Sequence, residues 1–307
     1  MATKKAMHVR LSWTDKVFLA IVYALLAVIF VIILYPLVFV LSASVSDPEA
    51  VSTGKMLLFP VGFRTKGIEF VLAYSEIWIG YGNTFFYTIV GTIINLAVTI
   101  PAGYALSRPD MHGRPFFVTM FLVTMYISGG LIPGYINLQE FGLLNTRTVM
   151  LVSGAVSTYN LVVTRTFFQN TIPWDLHEAA FLDGAGDAYL FWKIILPLSK
   201  PIIVVMMLYY GVGHWNAYFN AVLYLRDRGL YPLQVFLREI LVQSTFQFGA
   251  EMGDFSPEDL QAILEKQDTA NMLKYVTIVV SSLPMLILYP FLQKYFTKGV
   301  MIGSVKG

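Results

Sequence analysis

Six long stretches without a charged residue constrain the fold of this 307-residue chain more than any other feature. Each stretch approaches or exceeds the ~17–20 residues that a transmembrane helix requires. A soluble core could hide one such stretch but not six, and only 13% of the residues are charged, against about 25% in soluble domains. The sequence therefore predicts an all-α polytopic membrane protein with six transmembrane helices. The stretches cover residues 17–46, 77–107, 115–139, 148–164, 201–225 and 275–293.

The distribution of basic residues predicts the orientation of the spans. Six spans put both termini on one side, where twelve Lys and Arg residues fall, against nine spread over longer loops on the other side. The positive-inside rule then makes both termini cytoplasmic. The first apolar run is too long for the core of a signal peptide, so we expect an uncleaved first span. We place the N-tail at 1–16, one membrane domain at 17–293 and the C-tail at 294–307, with spans at about 17–43, 82–107, 115–136, 147–168, 199–225 and 272–293.

Several classes of chemistry find no support in the sequence. A P-loop and an HExxH motif are absent, there is no cysteine, and the four histidines are scattered. We therefore expect no catalytic residue, no metal site and no cofactor in this chain. The interiors of the spans hold no Asp, Glu, Lys or Arg, and His214 is the nearest ionisable candidate. Ion-coupled transporters usually carry such a residue at membrane depth, so the energy source is expected on another chain.

The segment EAAFLDGAGDAYLFWKIILP, residues 178–197, interrupts the apolar pattern on the predicted cytoplasmic side. No Lys or Arg lies between Arg165 and Lys193, yet four Asp and Glu residues do. This is against the sign of charge expected of a cytoplasmic loop. Turn and capping residues predict a helix at about 173–182 that ends at a glycine, then a second helix at 188–196 capped by Asp187. Such an acidic knob suits a basic groove on another protein. The alternative is a connector that lies on the membrane surface.

This segment resembles the EAA loop of the membrane subunits of bacterial ABC importers. The family pattern is EAA, three residues, Gly, nine residues and I-x-L-P, and every fixed position matches. The resemblance implies a type I ABC importer permease fold in which this loop docks on an ATPase subunit. It also implies that Glu178 meets a basic residue there and that Gly184 makes the turn. The coupling residues carried over are Glu178, Ala179, Ala180, Asp183, Gly184, Leu196 and Pro197.

Other segments resemble the carbohydrate-importing branch of that family. They are GYALSR at 103–108, GHWNAYF at 213–219 and KGVMIGSVKG at 298–307; SGGLIPGYI at 128–136 is similar to permeases for plant or algal oligosaccharides, the alginate importer among them. The resemblance implies a multi-pass protein of the bacterial inner membrane that imports a saccharide by alternating access. It implies these partners: two ATPase subunits that carry ATP and Mg, a second homologous permease, and a solute-binding protein that meets the outer loop at 226–270.

Aromatic and amide side chains near the outer half of the fifth span, and one asparagine at the mouth of the second span, are candidates for the sugar path, because aromatic rings stack on sugars and amides pair with hydroxyls. Alternatively, the aromatic residues form an interfacial belt and the asparagines bond between helices. The candidates are Trp215, Asn216, Tyr218, Asn220 and Asn83.

Three other functions stay open at this level. A permease for another small solute would share the EAA loop. A stand-alone channel or secondary transporter would transport without an ATPase, since pores can be lined by neutral groups. A membrane-embedded enzyme would need clustered reactive residues within a span, which the sequence does not show.

Overall fold

The computed structural model describes residues 12–246, 272–288 and 290, and the regular elements in those residues are helices. Outside them lie residues 1–11 of the predicted N-tail, 247–270 of the predicted outer loop and the whole predicted C-tail. The helices are α1 (Trp13–Ala43), α2 (Pro48–Ser52), α3 (Lys66–Ala73), α4 (Ser75–Ser107), α5 (Arg114–Tyr126), α6 (Leu131–Glu140), α7 (Arg147–Val152), α8 (Thr158–Thr171), α9 (Trp174–Leu182), α10 (Asp187–Leu198), α11 (Lys200–Trp215), α12 (Tyr218–Tyr224), α13 (Leu233–Phe246) and α14 (Met272–Leu288).

The chain divides into two units, residues 1–71 with 244–279 and residues 72–243 with 280–307. In the first unit, no residue in the most apolar window of α1 is buried, which suits a helix surrounded by lipid. After α1 the chain folds back, and a hydrogen bond of 2.6 Å from Ser42 Oγ to the Leu58 carbonyl joins the end of α1 to the returning segment.

Helix α4 is the centre of the second unit and packs along both α8 and α11. Its C-terminal half joins a buried apolar cluster that also includes residues of α8, α9, α10 and α11. The helix–turn–helix segment is therefore built into the same core as the predicted spans. The cluster consists of Ile100, Tyr104, Phe168, Ile172, Ala180, Leu190, Phe191, Ile195, Ile202, Met206 and Tyr210.

The described residues contain fewer uninterrupted spans than the sequence predicts. Helices α1 and α4 are long and apolar enough to cross a membrane, and the number rises to four if the bent pairs α5–α6 and α10–α11 each count as one span. The first two predicted spans lie within α1 and α4. The count of six and the cytoplasmic position of both termini stay predictions.

Three of the predicted spans each hold two helices. In the third, α5 and α6 meet at 117°, at Gly130, whose φ of 89° favours glycine. In the fourth, residues 153–157 separate α7 from α8, and Ser157 then caps α8 by accepting from the Asn160 amide. In the fifth, α11 ends at Trp215 and α12 begins at Tyr218. Turn-forming and helix-capping residues break the helices within these apolar stretches. The mean hydropathy of a stretch does not reveal such breaks.

Two glycines of α4 differ sharply in their surroundings. A Cβ at Gly91 would overlap the imidazole of His214, whereas a Cβ at Gly82 would meet no atom within 4 Å. A hydrogen bond of 2.7 Å between the imidazole Nε2 and Asn95 Oδ1 opposes displacement of the ring by an added methyl group.

We expect Gly91→Ala to destabilise the bundle by about 1–3 kcal/mol, the usual cost of overpacking. The matched control Gly82→Ala should be neutral or slightly stabilising, because alanine favours helix more than glycine does. Thermal unfolding of the two purified variants measures the difference. Equal midpoints for both would show that the α4–α11 contact tolerates a methyl group.

Candidate functional site

The segment at 174–198 forms two helices joined by a glycine turn, as its sequence predicts. Helix α9 ends in a turn in which the Gly184 amide donates to the Phe181 carbonyl and the Ala185 amide to the Ala180 carbonyl. Gly184 has φ of 79°, a backbone conformation that other residues rarely adopt. Asp187 is the first residue of α10 rather than its cap, a position that Gly186 holds.

The predicted coupling residues divide between an outward and an inward face. Glu178, Ala179 and Asp183 are exposed, as are Gly184 and Pro197, whereas Ala180 is buried and Leu196 is half-buried. Leu182 extends the outward face and is 89% exposed. The outward face therefore combines acids with a small and a large apolar side chain.

The inward face of α9 is anchored by His177, which is buried. Its Nε2 lies 3.1 Å from the Tyr104 hydroxyl at the end of α4, and its Nδ1 lies 3.4 Å from the Pro173 carbonyl. The imidazole also stacks on Trp174, with ring centroids 4.7 Å apart. These contacts attach α9 to α4 through an aromatic stack.

Arg108 provides a second attachment between the end of α4 and the segment. Its guanidinium pairs with Asp110, at 2.9 Å from Nε, and with Asp187 at the start of α10. Only 14% of the Arg108 side chain is exposed, whereas Asp110 and Asp187 are 44% and 68% exposed, so the guanidinium is shielded from water and its two partners are not. Sequence analysis missed this role. The one signal was that four acids lie between Arg165 and Lys193 with no Lys or Arg among them.

Two titratable groups near this attachment have shifted pKa values. The hydrogen bond from Arg108 holds the pKa of Asp110 below its usual value. Burial lowers the pKa of His177, and the neighbouring charge of Arg108 lowers it further. His177 is therefore neutral in the folded protein at neutral pH.

The residues predicted to line a sugar path lie near the α11–α12 junction and on α4. Trp215 is buried, and its indole nitrogen donates to the Ser281 carbonyl at 3.0 Å. Asn216 donates to the Val212 carbonyl of its own helix, and Asn220 is exposed. The ring of Tyr218 lies 4.7 Å beneath the Arg238 guanidinium.

Asn83, the fifth candidate, is a buried structural link. Its amide donates to the carbonyls of Gly229 and Tyr231, at 2.8 and 3.0 Å, and its oxygen accepts from Arg147. All three contacts are internal, so the structure accounts for Asn83 without a ligand. The role of the five residues in a path stays a prediction.

A similar link lies deeper in α4, at Asn95. Its amide donates to the carbonyls of Gly154 and Ala155 in the break between α7 and α8. Its oxygen lies 2.7 Å from Nε2 of His214. The sequence marked His214 as the nearest ionisable group within a span, and the structure assigns it a partner in the helix packing.

Comparison with known proteins identifies the family. Residues 77–302 match the family described as the inner membrane component of binding-protein-dependent transport systems. The chain belongs to this family. As an inner membrane component it is a multi-pass protein of the bacterial cytoplasmic membrane, as predicted. The family consists of transport components and not of enzymes.

Named relatives of this inner membrane component are sugar transport proteins. It is 36% identical over 295 residues to the polygalacturonan/rhamnogalacturonan transport system permease protein YtcP of Bacillus subtilis, covering 95% of this chain and 99% of that protein. It is 27% identical to the arabinooligosaccharides transport system permease protein AraQ of Halalkalibacterium halodurans, covering 97% of each.

A solved structure shares the fold of the inner membrane component. In the crystal structure of a bacterial ABC transporter involved in the import of the acidic polysaccharide alginate, one chain is 33% identical. The TM-score is 0.79, and the match covers 94% of this chain and 99% of that chain. The predicted permease fold is therefore confirmed at the level of the overall chain path.

The lowered pKa of His177 predicts a loss of stability in mild acid. Below about pH 6.5 the unfolded chain takes up a proton that the buried imidazole resists, so stability falls with pH through this window. The ion pair between Arg108 and Asp110 persists through this window and is lost only at lower pH, because the pKa of Asp110 is depressed.

We expect the unfolding temperature of the purified protein to fall between about pH 7.5 and 5.5, with a smaller fall in His177→Gln. The matched control is His112→Gln, since His112 is exposed. An identical pH slope in the wild type and His177→Gln would contradict a buried neutral imidazole.

Proposed function

We propose that this chain is the transmembrane subunit of an ATP-driven ABC importer for an oligosaccharide. It forms half of the translocation path beside a second homologous permease. Its segment at 178–197 couples the path to two ATPase subunits, on which ATP and Mg are bound. A solute-binding protein delivers the sugar to the outer loops. The observation that carries this proposal is the complete EAA pattern on an exposed helix–turn–helix within a member of the family.

The exposed face of α9 supports a docking role. Glu178 is exposed and forms no ion pair within the described residues. Leu182, one turn later, is almost fully exposed, which is unfavourable for a large apolar side chain in water. A groove with basic residues and an apolar pocket would satisfy both side chains.

The inward contacts support transmission of movement. Buried His177 and the shielded Arg108 join α9 and α10 to the end of α4. When the ATPase subunits close, a displacement of α9 therefore pulls on the longest helix of the second unit. Movement of α4 against α8 and α11 then alternates access to the path between the two faces of the membrane.

The relatives support a saccharide, and two of them an acidic one. Polygalacturonan, rhamnogalacturonan and alginate appear in the descriptions of the relatives with 36% and 33% identity. Arabinooligosaccharides appear at lower identity. We therefore propose a uronic-acid oligosaccharide as the substrate.

Glu178→Lys tests the coupling. Like charges placed at a docking interface cost on the order of several kcal/mol, so ATP-dependent uptake by the reconstituted importer should fall at least tenfold while membrane insertion stays normal. Glu140→Lys is the matched control, because Glu140 is exposed at the end of α6, far from this segment in sequence. Wild-type uptake in Glu178→Lys would remove this residue from the coupling role.

The substrate is tested by uptake into vesicles that contain the whole importer and its binding protein. We expect uptake of oligogalacturonate or alginate oligosaccharides and none of neutral malto-oligosaccharides. Uptake of neutral sugars alone would reject the uronide proposal and leave the importer function standing. Transport by this chain without any ATPase would reject the importer function itself.

A further inference from the structure

A small cavity of about 230 Å³ lies behind the helix–turn–helix segment, between the ends of α4, α5, α8 and α9. One wall carries Arg108, Trp174 and His177, which belong to the attachment described above. Arg114 and Gln169 also line the cavity, and the coupling mechanism does not use them. These two residues belong to a separate cluster of charged and polar side chains.

Two arginines converge on the last turn of α4. The Nε atoms of Arg114 and Arg165 donate to the same acceptor, the Leu106 carbonyl, at 3.1 and 3.2 Å. Cations are favoured at this position, because the final carbonyls of a helix lack partners within the helix and carry its negative end. The Leu106 carbonyl therefore holds the two guanidinium groups close together.

The terminal nitrogens of the two arginines share a neutral partner. In the amide orientation that satisfies its neighbours, the Gln169 oxygen accepts from Arg114 and from Arg165, the latter at 3.3 Å. An amide oxygen carries no full charge. Each guanidinium has five N–H groups, so donors remain on both after these contacts.

No carboxylate neutralises this pair within the described residues, where neither arginine takes part in an ion pair, whereas Arg108 has two. Residues 1–11 and 291–307 contain bases but no Asp or Glu, so no side chain in these two ranges supplies one. The remaining acids outside the described residues fall in 247–270, on the opposite side in the predicted topology. Two half-buried like charges held close together favour an anion from outside the chain.

The surroundings of the pair favour a lipid as the source of that anion. Arg114 is the first residue of α5, and the turns that follow expose Phe116, Met120 and Val123. A headgroup at the arginines would therefore have apolar side chains beside its acyl chains. Basic pockets between helices on the cytoplasmic side bind anionic headgroups, and the planar guanidinium matches phosphate oxygens in a bidentate manner.

We propose that Arg114 and Arg165 bind the phosphate of an anionic phospholipid, whose acyl chains lie along α5. Gln169 sets the spacing of the two guanidinium groups. The site does not depend on the sugar or on the ATPase. A negative result for lipid binding would therefore leave the proposed importer function unaffected, and the reverse also holds.

Gln169→Glu provides the sharpest test, because it places a carboxylate between the arginines and neutralises them without removing either. The matched control Asn170→Asp adds the same charge at the next position, which is exposed. The complete importer is incorporated into phosphatidylcholine bilayers containing phosphatidylglycerol, and the phosphatidylglycerol retained after extraction is counted by native mass spectrometry. We expect Gln169→Glu to reduce retention about tenfold, and Asn170→Asp to match the wild type.

A second comparison keeps the test valid if Gln169→Glu fails to fold. Arg114→Gln with Arg165→Gln should lose retention, whereas Lys16→Gln with Lys200→Gln removes two charges from separate exposed positions and should not. Inorganic phosphate at millimolar concentration should not displace the lipid, and displacement would identify a site for free phosphate instead.

Two further results would overturn the proposal. One is retention of phosphatidylglycerol at the wild-type level in both Gln169→Glu and the double Gln variant. The other is loss of ATPase association in these variants with lipid retention unchanged, which would assign the arginines to a protein partner.

Discussion

Hydrogen bonds from side chains of α4 to backbone carbonyls are the interaction on which the second unit depends. Each break in a span leaves backbone groups without helical partners, and lipid offers none. Asn95 bonds two carbonyls at the break between α7 and α8. Asn83 bonds two more in the short segment after α12. A helix that carries such links cannot be shifted without repacking both regions, so α4 behaves as the frame of the unit.

The C-terminal end of the same helix holds the helix–turn–helix segment. Tyr104 and Arg108, one turn apart, contact His177 and Asp187 respectively. The frame that organises the broken helices therefore also receives whatever force acts on α9. In the proposed mechanism this arrangement gives a physical route from a docking face on another protein to the packing of the spans.

The sequence predicted local features of the site well, and interactions over long sequence separations poorly. The two short helices and the turn at Gly184 follow from capping, glycine and spacing, which are properties of neighbouring residues. The pairing of Arg108 with Asp187 joins residues 79 positions apart, and no local pattern specifies it. Likewise, Asn83 and Trp215 have side chains of the kind that binds sugars, but in the folded chain their N–H groups donate to backbone carbonyls far away in sequence. The helix breaks were missed because a window average of hydropathy does not register a few turn-forming residues.

The central claim is that the outward face of α9 touches an ATPase subunit. The chain has no cysteine, so Leu182→Cys creates a single reactive thiol at a position of this face that is 89% exposed. Site-directed cross-linking in membranes that contain the whole importer measures its neighbour, with Leu57→Cys as an exposed control in the predicted first outer loop. We predict that Leu182→Cys cross-links to the ATPase subunit and Leu57→Cys does not. Cross-linking of Leu182→Cys only to lipid, or equally strong ATPase cross-links from Leu57→Cys, would contradict the account.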